Sequence, residues 1–341
     1  MRTTMWHAEP TAGVIGRTRE LTQVERLLRR RARVVTVTGP PGAGKSTVAA
    51  VAASRPGRDV YVERFRPSWE EIQDPEVVPH VVADALRTPD DCTLSRLEML
   101  LDTLEGRSLL LVLHDCDHLI GGVTELVNAV VGHCREVDFL VSARQPLHVP
   151  GEQIVVLPPL APAAALALFT AVARETAPPL PQTEHDQALV AEVCELLDRL
   201  PLAVELAARS LSDMSLEQLA ELVRTRCLTL GAYLPLTNGR PLHHVTLANA
   251  ISWSHELCTP PQRLLWARLS AFDGGFGTAE AVARCADELL PPATVADGAA
   301  QLLDRSLLLA DRPGAGQARY RMPRTIRAYG ATMLRYLGEA G

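Results

Sequence analysis

Residues 34–53, VVTVTGPPGAGKSTVAAVAA, constrain this chain more than any other stretch. Val34 to Val37 form an apolar, β-branched run that reads as a buried strand. Gly39, Pro40, Pro41, Gly42, Ala43, Gly44, Lys45 and Ser46 then match G-x-x-x-x-G-K-[ST], and small residues from Thr47 to Ala53 continue as a helix. Strand, loop and helix in that order are the setting in which such a loop cradles phosphates. Glycines let the backbone curl into a nest of N–H groups, and the helix N-terminus adds its partial positive charge. Gly39, Pro40, Gly42, Ala43 and Gly44 supply the backbone. Lys45 puts a compact charge on the β- and γ-phosphates, where a planar guanidinium fits poorly. Ser46 offers a hydroxyl to Mg²⁺, and Thr47 helps hold the α-phosphate. The 34 basic residues include one lysine, and it is Lys45. An ammonium was kept at the one place where arginine would not serve, so a nucleoside triphosphate or diphosphate is the expected ligand.

Further short apolar runs at 60–63, 109–113, 137–142 and 154–157 read as strands, with helical stretches around 74–87, 93–105 and 122–135. Such alternation implies a parallel sheet covered by helices, with ligands beyond the carboxyl ends of its strands. The chain of 341 residues leaves room for more than one domain. A net charge of −6 gives no global reason to expect nucleic acid as a partner. The seven cysteines stand singly without a CxxC pair, which points to a reducing cytoplasm. The N-terminus lacks the apolar stretch of a signal peptide. No run of 18 apolar residues occurs, so no membrane partner is expected.

Beyond these local patterns, the chain from about Val14 to Leu337 resembles the NB-ARC-type STAND ATPases, above all their actinobacterial regulatory branch. The motifs that carry the likeness are VIGRTREL (14–21), VSARQPLHVPGEQIVVLPPL (141–160), LLDRLPLAVELAAR (196–209), LSAFDGGFGTAEAVA (269–283) and ARYRMPRTIRAYG (318–330). The resemblance implies an α/β P-loop domain, a small helical domain and a winged-helix domain. It also implies that Ile15, Gly16 and Arg17 touch the adenine side of the nucleotide, and that Pro201 packs on the base. Arg199 stands where the family has glycine. The M-H-D-like pattern of the family is Met322, Pro323, Arg324 here, without the histidine that meets the nucleotide.

LLLVLHDCDHL (109–119) gathers two histidines, two aspartates and a cysteine between His114 and His118. A zinc cage is one reading, but a strand end rarely closes four ligands from five adjacent residues. The family's third strand ends LVLDNCEHL, so His114 takes the place of the aspartate that helps hold Mg²⁺. A hard cation prefers oxygen ligands, and imidazole substitutes poorly. Asp115 is the remaining carboxylate, yet a shift of one residue along a strand points a side chain to the opposite face. Mg²⁺ is therefore expected to be weakly held by Ser46 and Asp115, and hydrolysis to be slow or absent. Asp117 is either a residue that polarises water or an exposed helix start. Arg144, closing VSAR, is by resemblance a γ-phosphate sensor; its fork suits phosphate oxygens, and the alternative is a surface arginine in a loop.

After residue 160 the strands stop, and helical periodicity runs to about 232, broken by a loop at 176–186. The expected boundaries are a tail at 1–12, a P-loop domain at 13–158, a helical lid at 159–232, a linker at 233–241 and a winged helix at 242–341. Helices at about 243–257, 260–270, 278–286 and 293–305, a hairpin at 306–322 and a final helix at 323–337 fill the last part. Winged helices often bind DNA, but the helix before the wing offers only Gln301 and Arg305 to base edges, beside Asp297 and Asp304. Direct DNA binding is not expected from it. The expected function is an ATP- or ADP-binding switch core of a signalling or transcriptional regulator, with a protein partner or self-assembly as its output. Its alternatives are a nucleotide-binding interaction protein without turnover and a winged-helix transcription factor that binds DNA directly.

Overall fold

The computed structural model describes residues 14–54, 59–64, 74–88, 94–176, 183–231, 246–311 and 319–339. The expected tail at 1–12, the linker at 233–241 and the turn of the wing hairpin lie outside them. The chain forms two compact units, one of residues 1–39 and 44–157, the other of 40–43 and 158–341.

The first unit is built on five strands: β1 (Val34–Thr38), β2 (Asp59–Arg64), β3 (Leu109–His114), β4 (Val137–Ser142) and β5 (Gln153–Val156). All pairings are parallel and the order is β2-β3-β4-β1-β5. Around them lie α1 (Thr18–Arg29), α2 (Lys45–Ala53), α3 (Val77–Ala85), α4 (Arg96–Leu104) and α5 (Ile120–His133). β1, β3 and β4 are buried at every position, as continuous apolar runs require when helices cover both faces. Leu111, Phe139, Leu126, Val130, Val78 and Leu100 belong to one buried cluster joining β3 and β4 to α3, α4 and α5. Gly122 permits the α3–α5 approach, since a Cβ there would lie 2.5 Å from the Pro75 carbonyl oxygen. Register places His114 beside Ser142, and Val37 beside Ser142 on the other edge of β4. The carboxyl ends of three adjacent strands therefore stand level.

In the second unit come α6 (Pro162–Thr176), α7 (Glu184–Leu196), α8 (Pro201–Ser210) and α9 (Leu216–Arg226). Thr183 with Asp186, and Ser215 with Gln218, close capping boxes at the starts of α7 and α9. Then comes α10 (Leu247–Glu256), and after it the winged helix: α11 (Pro260–Leu269), β6 (Phe276–Gly277), α12 (Thr278–Cys285), α13 (Pro292–Asp304), β7 (Leu309–Asp311), β8 (Arg319–Arg321) and α14 (Arg324–Tyr336). Its small antiparallel sheet has the order β6-β8-β7, and β6 is a strand that periodicity did not predict. Two residues are too few to alternate. Trp266 is fully buried, and its indole N–H donates to the Ile326 carbonyl at 3.0 Å, fixing α14 on α11. The α/β P-loop fold and the winged helix are thus both present. No helix among the described residues is long and apolar enough to cross a membrane.

Candidate functional site

The loop from Gly39 to Gly44 turns through positive φ at Gly39 (150°), Gly42 (76°) and Gly44 (86°), the last being the N-cap of α2. At Gly42 and Gly44 a side chain would be strained, which is why the sequence places glycine there. No side chain caps α2, and its first turn holds no acidic residue, so its amides form a cradle suited to an anion. The Lys45 ammonium donates to the Gly39 carbonyl at 2.9 Å. Burial, and then the charge of Arg144, push its pKa down to about 8, against the pull of Asp117 and Asp115. Arg144, Asp117 and Asp115 therefore all act on Lys45 at the strand ends.

Asp115 departs from strand alternation, though not from its expected place beside Ser46. β3 ends at His114, and Asp115 takes φ 55°, a left-handed turn. Side-chain alternation holds only while the backbone stays extended. Instead of facing away, the Asp115 carboxylate accepts a long hydrogen bond from the Ser46 hydroxyl, 3.5 Å to Oδ1. His114 is buried and its Nδ1 lies 2.9 Å from the Ser142 hydroxyl, which in turn is 3.4 Å from that of Ser46. Ser142 is the residue that reading the sequence missed. Its only signal was its place at a strand end level with His114.

Asp117 is not an exposed helix start, and Arg144 is not a surface arginine: their side chains are 11% and 10% exposed. Asp117 accepts the Arg144 backbone N–H at 2.7 Å through Oδ1 and its Nε–H at 3.3 Å through Oδ2. The sequence reading offered each of them separately as a site residue; only the fold shows that they hold each other. Among the described residues no three His, Cys, Asp or Glu side chains gather as a metal cluster. Cys116 is buried, and burial pushes its thiol well up.

Ile15 is half-buried and Gly16 exposed, ahead of α1. Arg17 is the N-cap of α1, and it is buried at 3% exposure, with its guanidinium pKa lowered by desolvation. Thr47 is exposed in the first turn of α2. In the second unit Pro201 opens α8 at its first turn, where a missing N–H costs nothing. Arg199 has φ 51°, a conformation that glycine adopts freely.

A model of the winged helix-turn-helix domain matches residues 259–335. A putative HTH-type transcriptional regulator of Mycobacterium tuberculosis, Rv0890c, is 32% identical over 314 residues, covering 90% of this chain and 34% of that protein. The chain thus spans about a third of the length of that relative. The uncharacterized protein Rv0894 of the same organism is 30% identical over 329 residues, covering 96% of this chain and 82% of that one. Among solved structures, the Aeropyrum pernix Orc1 protein in complex with DNA has a TM-score of 0.48 at 14% identity, covering 95% of this chain and 94% of that one. A STAND protein with a tetratricopeptide repeat sensor from Pyrococcus horikoshii has a TM-score of 0.37 at 14% identity, covering 92% and 42%. Neither structural likeness is close enough to carry weight. The sequence likeness is, and on identity and mutual coverage this chain belongs to the family of the mycobacterial protein Rv0894.

Proposed function

We propose that the chain is the ATP- or ADP-binding switch core of a STAND-type signalling or transcriptional regulator of the actinobacterial NB-ARC branch. One observation carries this reading: a glycine-lined, uncapped helix start, Lys45, Ser46, Asp115 and the Asp117–Arg144 pair stand together at the carboxyl ends of β1, β3 and β4. In it the backbone of Gly39 to Gly44, Lys45, Ser46 and Thr47 hold the phosphates. Ile15, Gly16 and Arg17 serve the base. Mg²⁺ is weakly held by Ser46 and Asp115, because His114 occupies the position of the usual carboxylate. Asp117 and Arg144 sense the terminal phosphate as one paired unit. With the aspartate displaced by one residue, hydrolysis is slow or absent. The division into a P-loop domain at 13–158, a lid at 159–232, a linker at 233–241 and a winged helix at 242–341 belongs to the same reading, as do a cytoplasmic setting and an output through a protein partner or self-assembly.

A direct transcription factor is the alternative that the relatives' names suggest. It is disfavoured by the fate of its two base-reading candidates. Gln301 accepts from Gln262 at 2.6 Å, and Arg305 donates to the Leu257 carbonyl at 3.0 Å. Calorimetric titration with ADP and ATP, with and without Mg²⁺, tests the main reading. Binding of either nucleotide is expected, with at least a hundredfold loss in Lys45→Ala, about 2.7 kcal/mol. No heat from either nucleotide would sink the proposal. Turnover at the rate of an ordinary ATPase would sink the part that concerns hydrolysis.

A further inference from the structure

Within the second unit, the turn between α7 and α8 touches two elements at once. α7 closes with the Asp198 N–H on the Glu195 carbonyl at 3.0 Å and the Arg199 N–H on the Cys194 carbonyl at 2.9 Å, a Schellman arrangement. Such an ending calls for glycine at its left-handed position, yet Asp198 (φ 54°) and Arg199 (φ 51°) are both left-handed. What keeps Asp198 there is what its carboxylate does. Oδ1 accepts the Arg324 N–H at 2.8 Å, and Oδ2 accepts the Thr325 N–H and the Thr325 hydroxyl, each at 2.7 Å. These are first-turn amides of α14, which have no acceptor inside their own helix. The Thr325 side chain is fully buried at the contact. Beside it the Arg324 guanidinium donates to the Arg224 carbonyl of α9 at 3.2 Å.

Four residues on from Asp198, the chain meets the phosphate loop. The Leu202 N–H donates to the Gly42 carbonyl at 3.1 Å. A Cβ built at Gly42 would lie 2.8 Å from the Leu202 Cβ, so the loop backbone rests directly on that side chain. Between the two contacts the segment is stiff: Pro201 fixes its own φ, Leu200 is buried, and the Arg199 carbonyl accepts the Leu160 N–H at 3.1 Å.

We propose that residues 198–202 are a coupling element, in which Asp198 latches the start of α14 and Leu202 reads the phosphate-loop backbone at Gly42. A change in the loop is passed through this strained turn to the last helix of the winged helix, whose release frees that domain. The inference goes beyond nucleotide binding and is tested without any nucleotide, so its failure and the failure of the proposed function are separable.

Hydrogen exchange of the full chain, resolved to single amides, is the experiment. Protection of Arg324 and Thr325 reports the latch, because nothing else in α14 accepts from them. Asp198→Asn is expected to speed their exchange at least tenfold, while Ala299 and Leu302 in α13 stay protected. Should α13 also lose protection, Thr325→Val, which removes only the hydroxyl donor, is expected to give about threefold at Arg324. Gly42→Ala, which drives a Cβ into Leu202, is expected to speed exchange at the same two amides about threefold. Unchanged exchange at Arg324 and Thr325 in Asp198→Asn overturns the latch. Acceleration in Asp198→Asn with none in Gly42→Ala overturns the coupling and leaves Asp198 as a helix cap alone.

Discussion

Asp115 alters what its neighbour His114 means for the site. In the proposed nucleotide site, a histidine at the position of the family's carboxylate would by itself leave Ser46 as the one oxygen ligand from the protein. The left-handed turn at Asp115 brings a carboxylate back within 3.5 Å of that hydroxyl. On the proposed reading, its distance and its left-handed backbone would make it a poorer Mg²⁺ ligand than a carboxylate ending a strand. Asp115→Asn is therefore expected to weaken the Mg²⁺-dependent part of nucleotide affinity about tenfold, ~1.4 kcal/mol. The comparison is one of dissociation constants with and without Mg²⁺. If affinity without the metal falls as much as affinity with it, Asp115 is not a metal ligand. His114 has a different task, since its ring nitrogen and the Ser142 hydroxyl hold each other at 2.9 Å.

Elements of the winged helix are joined by a few contacts whose loss is measurable. Gly330 lets α14 lie close on α11. A Cβ there would come within 2.9 Å of the Ser270 Cβ and the Trp266 ring, the same indole that holds the Ile326 carbonyl. Gly330→Ala gains about 1 kcal/mol of helix propensity but overpacks a rigid ring at a cost of about 1–3 kcal/mol. A lower urea midpoint is expected, and a raised one would show that the ring can move aside. Arg268 of α11 ties in two further elements, through Asp287 between α12 and α13 at 2.7 Å and Glu339 after α14 at 2.8 Å. Its guanidinium, with the Leu289 and Leu290 amides, pulls Asp287 down to about 2, and it lowers Glu339 as well. A folded pKa below the unfolded value gives stability that is present above about pH 4 and is lost as pH falls through about 2. Denaturation midpoints are expected to fall across that window. Arg268→Met is expected to flatten the fall, and an unchanged slope would assign acid sensitivity to other carboxylates.

For the molecule as a whole, the helix-turn-helix of α12 and α13 poses the question of DNA. The outward positions of α13 include Ala293, Asp297, Ala300 and Asp304, small or acidic. Its Gln301 and Arg305 are engaged within the domain. Base readout needs unengaged donors in the groove, and docking needs positive charge. Duplex affinity is accordingly expected to show no preference among sequences, and to change with salt as if fewer than about two phosphates were neutralised. Binding titrations at several salt concentrations measure both. A steep salt slope with a preferred site would make the winged helix a DNA reader after all.

The sequence by itself determined what neighbouring residues determine. Apolar runs such as VVTV and LLLVL read as the buried strands that they form, and the glycines before Lys45 mark the left-handed turns that lead into α2. The start of α7 at Glu184, inside the stretch read as a loop, shows where even a local signal, the Thr183–Asp186 capping box, was passed over. These signals are local, because main-chain conformation and capping are set over a few positions. The tertiary structure alone decided where Asp115 points, that Asp117 grips Arg144 across 27 positions, that His114 meets Ser142 across 28, and that Asp198 holds Thr325 across 127. Each depends on which strand or helix lies beside which. That choice is made by burial of whole faces, so no single short stretch records it.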